Sequence, residues 1–136
     1  MKNYFLLLFI GITLVSCSND DDNNAADAPT SARIIGNWNW IASYGGFGNW
    51  TYTPESTGDT QRLEITPTTI KTYINNELVS GTNYTIELRE SILTSGLKEM
   101  IISEENEFRT IVEFIDNKLV LSGDCYDCFG SEYVRE

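Results

Sequence analysis

The chain has 136 residues, 9 of them Lys or Arg and 20 Asp or Glu, for a formal charge of −11 without a single histidine. A surface that acidic repels phosphate backbones, so nucleic acid is not an expected partner, and the scattered acids read as a solubilising exterior. Lacking imidazole, the chain has no Ser-His-Asp or Cys-His catalytic set and no histidine ligand for zinc.

Lys2 precedes an apolar run from Tyr4 to Val15. It is too short to cross a bilayer as a helix but has the length and flanks of a signal-peptide core. The run ends in Leu14-Val15-Ser16-Cys17, which resembles the lipobox of bacterial lipoproteins. That resemblance implies that residues 1–16 are removed and that Cys17 carries acyl chains such as palmitate. Beyond it, Asp20 to Ser31 is polar, acidic and free of aromatic residues, so residues 17–32 are expected to be a flexible tether. Ser18 after the cysteine resembles lipoproteins sorted to the outer membrane of Gram-negative bacteria. The triplet Asp20-Asp21-Asp22 resembles export signals of surface-exposed lipoproteins, or is simply a solvated spacer. The expectation is a domain anchored to the outer membrane by lipid.

Residues 33–136 suffice for one domain with a single core. From Ile34 to Tyr44, alternation places Ile34, Gly36, Trp38, Trp40, Ala42 and Tyr44 on one face and Asn37, Asn39, Ile41 and Ser43 on the other, the period of a half-buried strand. Residues 45–59, punctuated by Gly and Pro, predict a long loop, although Phe47, Trp50 and Tyr52 lie in it. In the next strand, Gln61 to Thr66, Leu63 and Ile65 point inward, and Pro67 ends it. Thr68 to Ile74 groups Ile70, Thr72 and Ile74, and Asn75-Asn76 is a tight-turn signal.

Glu77 to Glu90 predicts a longer strand with Tyr84, Ile86 and Leu88 on one face and a bulge at Gly81. Leu97 to Ser103 follows, then the polar turn Glu104 to Glu107. Phe108, Thr110, Val112 and Phe114 form the inward face of the next strand, Asp116-Asn117 turn the chain, and Leu119 and Leu121 continue. Gly123 to Cys128 is a loop, and Phe129 to Glu136 closes the chain. About eight strands joined by short turns, with no convincing helix, predict an all-β, antiparallel up-and-down β-barrel, because closure removes exposed sheet edges.

Gly36-Asn37-Trp38 matches the Gly-x-Trp signature of lipocalins, and Tyr133 and Arg135 end the last strand. Ile34 to Arg135 resembles the lipocalin-like domain of small Gram-negative lipoproteins. The central Thr-Asp-Tyr motif of transport lipocalins has no counterpart, and no helix follows the last strand. The resemblance implies that Trp38 closes one end of a barrel and that Arg135 packs on its ring as a cation-π pair.

Cys125-Tyr126-Asp127-Cys128 is the remaining chemical signal. In an oxidising compartment a short-loop disulfide is expected. Redox catalysis is disfavoured because Asp124 and Asp127 raise a thiol's pKa, metal binding because two sulfurs with carboxylates make a poor zinc set, and two inert thiols remain an alternative. No facing carboxylate pair suggests glycoside hydrolysis, and neither catalysis, a cofactor nor a metal is expected. Two readings compete. One is a binding module in which Trp40, Phe47, Trp50, Tyr52 and Tyr73 contact a small apolar molecule or glycan beneath the 45–59 loop. The other is a protein-interaction or envelope-complex subunit with a filled barrel and an exposed aromatic patch.

Overall fold

The structure is a computed structural model that describes residues 28–136. The expected signal peptide, the lipidated Cys17 and the aspartate triplet lie outside the described residues. Nine strands follow in order: β1 (Gly36–Gly45), β2 (Trp50–Tyr52), β3 (Gln61–Ile65), β4 (Thr69–Ile74), β5 (Glu77–Glu90), β6 (Leu97–Ser103), β7 (Arg109–Ile115), β8 (Lys118–Gly123) and β9 (Phe129–Arg135). Each of β3 to β9 pairs antiparallel with its sequence neighbour, and β9 returns to pair with β1. The result is a closed up-and-down barrel of eight strands, with β2 added as a short flap on the upper half of β1.

Closure depends on local sequence. Asn75 and Asn76 have φ of 50° and 68°, and Asp116 and Asn117 have 50° and 63°. Two successive left-handed residues make the hairpin turn whose twist matches the strands, and short amide or carboxylate side chains tolerate that region best.

Four local expectations need correction. The 45–59 stretch is not structureless: β2 folds back on β1, and Pro54–Thr57 form a helical turn, α2. Thr53 caps α2 reciprocally with Ser56, and Gly58 ends it at φ 77°. The β5 bulge falls at Val79, skipped between the pairs Thr72 with Ser80 and Tyr73 with Leu78, while Gly81 pairs normally with Lys71. In β1, Trp40 pairs with Tyr133 and Ala42 with Glu132, so Ile41 is an extra residue. One inserted residue moves every later side chain to the other face. Ser43 therefore joins the interior and Tyr44 leaves it. Finally, the domain begins before residue 33: Thr30–Arg33 form a helical turn, α1, and buried Thr30 donates its hydroxyl to Glu99.

The core fills the lower half of the barrel, the end at which β1 starts. Ile34, Trp38, Trp40, Leu63, Ile65, Tyr84, Ile101, Val112, Leu119 and Tyr133 form one buried cluster. Trp38, 1% exposed, donates its indole N–H to the Ile34 carbonyl at 2.7 Å, and its ring lies 6.2 Å from that of Phe114. Arg135 stacks on the Trp38 ring at 4.2 Å and donates to the carbonyls of Ile35 and Arg33. Gly36 makes room for that clamp. A Cβ there would stand 2.6 Å from an Arg135 nitrogen, and the φ of 136° is open mainly to glycine.

A second buried group lies outside the barrel wall. Met100, Ile111 and Val120 sit on the opposite face from the core positions beside them, yet are 0%, 6% and 4% exposed. Among the described residues, the segment tied across this region is the tip of the β5–β6 hairpin. Ser91 Oγ and Ile92 N both donate to Asp124 Oδ1, at 2.7 and 3.1 Å.

Candidate binding site at the open end of the barrel

Above the packed half, the inward positions change character. Thr72, Thr82, Ser103, Thr110 and Ser131 replace large apolar residues, and small hydroxyl side chains cannot meet across a barrel of this width. A cavity of about 450 Å³ results, with Leu63, Ile70, Ile101, Leu121 and Tyr133 completing its walls. Asn106, Phe108, Gly123, Cys128 and Phe129 line the rim. The volume falls within the range of small-molecule sites, roughly 300 to 1,000 Å³.

Among the described residues no charged one lines this cavity, although 21% of the chain is charged. The titratable groups of the wall are neutral ones. Burial pushes the Tyr133 hydroxyl above its ordinary value, so it remains a neutral donor and acceptor. Hydroxyl groups also pair among themselves. Trp40 Nε1 donates to Ser43 Oγ at 2.8 Å, Ser43 and Ser131 share a bond of 2.6 Å, and Thr82 and Ser103 one of 3.1 Å. The Ser43 link exists because of the Ile41 bulge.

The expected ligand-contacting aromatics lie elsewhere. Trp40 is 4% exposed and belongs to the packed core below the cavity. Tyr73 points outward, where its hydroxyl donates to Glu64 and Arg62 stacks on its ring at 4.1 Å. Phe47 is 93% exposed at the tip of the β1–β2 hairpin. Trp50 and Tyr52 stand beside the mouth rather than over it, half exposed, with Tyr52 5.9 Å from Phe129. The 45–59 segment is therefore not a lid. The physical reason is pairing: β2 hydrogen-bonds along β1 from Ser43 to Gly45 and so follows the wall upward.

Phe108, Phe129 and the loop from Gly123 to Phe129 hold the rim instead. Cys125 and Cys128 are joined, with 5.3 Å between their Cα atoms. Gly45 fits against this loop, where a Cβ would meet the Cys128 carbonyl oxygen at 2.6 Å. The disulfide thus acts as a brace for the mouth. Asp124 secures the same loop from outside: its side chain is fully buried, its N–H donates to Arg109 O, and Arg109 Nη1 stands 3.7 Å from Oδ2.

The alternation in the sequence groups Thr72 with Ile70 and Ile74 and puts Thr110 on an inward face. Hydroxyl residues at interior positions of a period-2 pattern are the readable signal of an unfilled barrel. Asp124 had no such signal, since its partners lie 32 and 33 residues away. No family model, no curated protein and no solved structure matches this chain.

Proposed function

We propose that the protein is an outer-membrane lipoprotein of lipocalin-like type whose barrel binds a small, neutral, largely apolar molecule without acting on it chemically. The observation that carries this reading is the uncharged cavity of about 450 Å³, walled by aliphatic side chains and hydroxyls and open at one end. A ligand there exchanges water for apolar contact, at roughly 25 cal/mol per Å² buried, while Ser, Thr and Tyr hydroxyls fix its orientation. A charged ligand would lose its hydration with no opposite charge to meet it. The Gly36, Trp38 and Arg135 arrangement at the closed end supports the lipocalin-like reading.

Titration of the full chain with N-phenyl-1-naphthylamine, a neutral apolar fluorophore, tests the reading. Saturable enhancement is expected, weakened at least about tenfold by Thr110→Phe, which fills the cavity with a ring. Trp50→Ala should bind as wild type does, because Trp50 does not line the cavity. Dye binding lost in Trp50→Ala but retained in Thr110→Phe would move the site to the outer aromatic patch. That patch, with Phe47 93% and Trp50 54% exposed, favours the second reading, a protein partner in the envelope.

The anchor has its own test. The Leu14-Val15-Ser16-Cys17 sequence motivates the expectation that wild-type protein partitions with membranes and carries acyl mass, and that Cys17→Ala loses both. Wild-type protein recovered in the soluble fraction without detergent would remove the anchor from the proposal.

A further inference from the structure

Eight of the nine cationic side chains lie among the described residues, and six of them pair with a carboxylate: Arg62 and Lys71 with Glu64, Arg89 with Glu87, Lys98 with Glu113, Arg109 with Asp124, Lys118 with Glu132. In a chain of net charge −11, cations are scarce and unmatched ones stand out. Arg33 and Arg135 have no carboxylate partner among the described residues, and both line one pocket at the closed end of the barrel. It measures about 450 Å³ and is distinct from the cavity at the mouth.

Stacking presents the two guanidinium groups. Arg33 lies over the Phe114 ring at 3.8 Å and Arg135 over Trp38 at 4.2 Å, on rings that are themselves 6.2 Å apart. A stacked guanidinium keeps its in-plane N–H donors free while its orientation is set by the ring beneath. Arg135 uses two of its five donors on the Ile35 and Arg33 carbonyls. Arg33 makes no side-chain hydrogen bond among the described residues. Asn117 supplies an amide to the same pocket. Two acids flank the pocket in sequence: Glu136 follows Arg135 without forming an ion pair among the described residues, and Asp116 precedes Asn117 but, with Glu132, favours the protonated form of Lys118.

From this geometry we infer that the closed end is a binding site for a phosphate group carried on an apolar body. One guanidinium satisfies a planar carboxylate, whereas two guanidinium groups stacked on separate rings and lining one pocket suit the several oxygens of a tetrahedral phosphate, Arg33 with its whole fork and Arg135 with the donors left over from its two backbone bonds. The remaining walls, Ala32, Ile35 and Phe114, offer apolar contact that inorganic phosphate alone would leave unused. A lipid headgroup with its proximal chain and a soluble phosphate monoester share this chemistry.

The test is nuclear magnetic resonance of the full chain in neutral detergent, following the Trp38 indole N–H and the arginine Nε–H signals. Inorganic phosphate and dihexanoyl phosphatidic acid are the probes, with chloride matching ionic strength. Saturable shifts with at least one probe are expected, and Arg33→Gln should raise the half-saturation concentration about tenfold or more, Arg33→Lys less. Phosphatidic acid binding at least about tenfold tighter than phosphate supports the site and assigns a lipid source. Equal binding supports the site and assigns a soluble one. Shifts no larger than those from chloride, or saturation unchanged by Arg33→Gln, overturn the inference. Dye binding at the mouth should be unaltered in Arg33→Gln, so loss of fold and loss of the phosphate site are told apart.

Discussion

Trp38→Ala is expected to lower stability by about 3 to 5 kcal/mol, a large share of the roughly 5 to 15 kcal/mol that holds a domain of this size together. Three losses combine. The ring is 1% exposed, so its removal leaves a void between Ile34 and Phe114 that the closed barrel cannot collapse to fill. The Ile34 carbonyl loses its indole donor in a buried setting. Arg135 loses the ring on which its guanidinium lies, a contact of about 1 kcal/mol. Urea unfolding of the full chain measures the sum as a shift in midpoint at constant slope. Trp38→Phe keeps most of the volume and should cost about 1 to 2 kcal/mol, mainly the hydrogen bond and the residual gap. A loss below about 1 kcal/mol for the alanine variant would mean that the ring is not the plug of the closed end.

The second large effect is expected at Asp124. Its carboxylate is buried, takes two hydrogen bonds from the β5–β6 hairpin tip and faces Arg109 at 3.7 Å. Asp124→Ala removes all three and unties the hairpin tip from the end of β8. A cost of about 2 to 4 kcal/mol follows from losing two charge-assisted hydrogen bonds and an ion pair at a buried carboxylate. Asp124→Asn can still accept from Ser91 and Ile92 and gives up chiefly the half-exposed ion pair, so about 1 kcal/mol is expected. Hydrogen exchange gives the local readout: the Ile92 amide should exchange much faster in Asp124→Ala than in wild type. An Ile92 amide equally protected in both, with stability changed by less than about 0.5 kcal/mol, would show that the hairpin tip is held by something else.

Much of the architecture is legible along the chain because neighbouring strands pair. An up-and-down barrel asks each strand only to recognise the next, so alternation and turn residues carry most of the information. Leu63, Ile65, Val112 and Leu119 show the period-2 pattern, and Asn75-Asn76 and Asp116-Asn117 mark turns that only left-handed residues make. The Gly-x-Trp strand is legible for a related reason: Trp38 needs a buried site, and Gly36 admits the Arg135 clamp.

What alternation could not show is where the pattern slips. Ile41 and Val79 are ordinary strand residues, and nothing local distinguishes a bulged isoleucine or valine from a paired one. The Ile41 bulge is visible only against β9, and it exchanges Ser43 for Tyr44 on the inner face. Aromatic residues misled for a similar reason. Phe47, Trp50 and Tyr52 suggest a lid as long as their segment is taken for a loop, but three residues pairing with β1 hold the segment along the wall, so that Trp50 and Tyr52 stand beside the mouth and not over it.

By itself, then, the sequence determined the class of fold, the order of the eight barrel strands though not the added β2, the hairpin turns and the buried Trp38, because these rest on contacts between adjacent segments and on residue-specific backbone preferences. Only the tertiary structure decided that the upper half of the barrel is empty, that the mouth is framed by the disulfide loop, and that Asp124 ties down a hairpin more than thirty residues before it in the chain. The pairing of Arg33 with Arg135 at the closed end was decided in the same way. Those features depend on which side chains meet across a closed sheet, a relation set by register and shear summed over eight strands, to which no single segment holds the key.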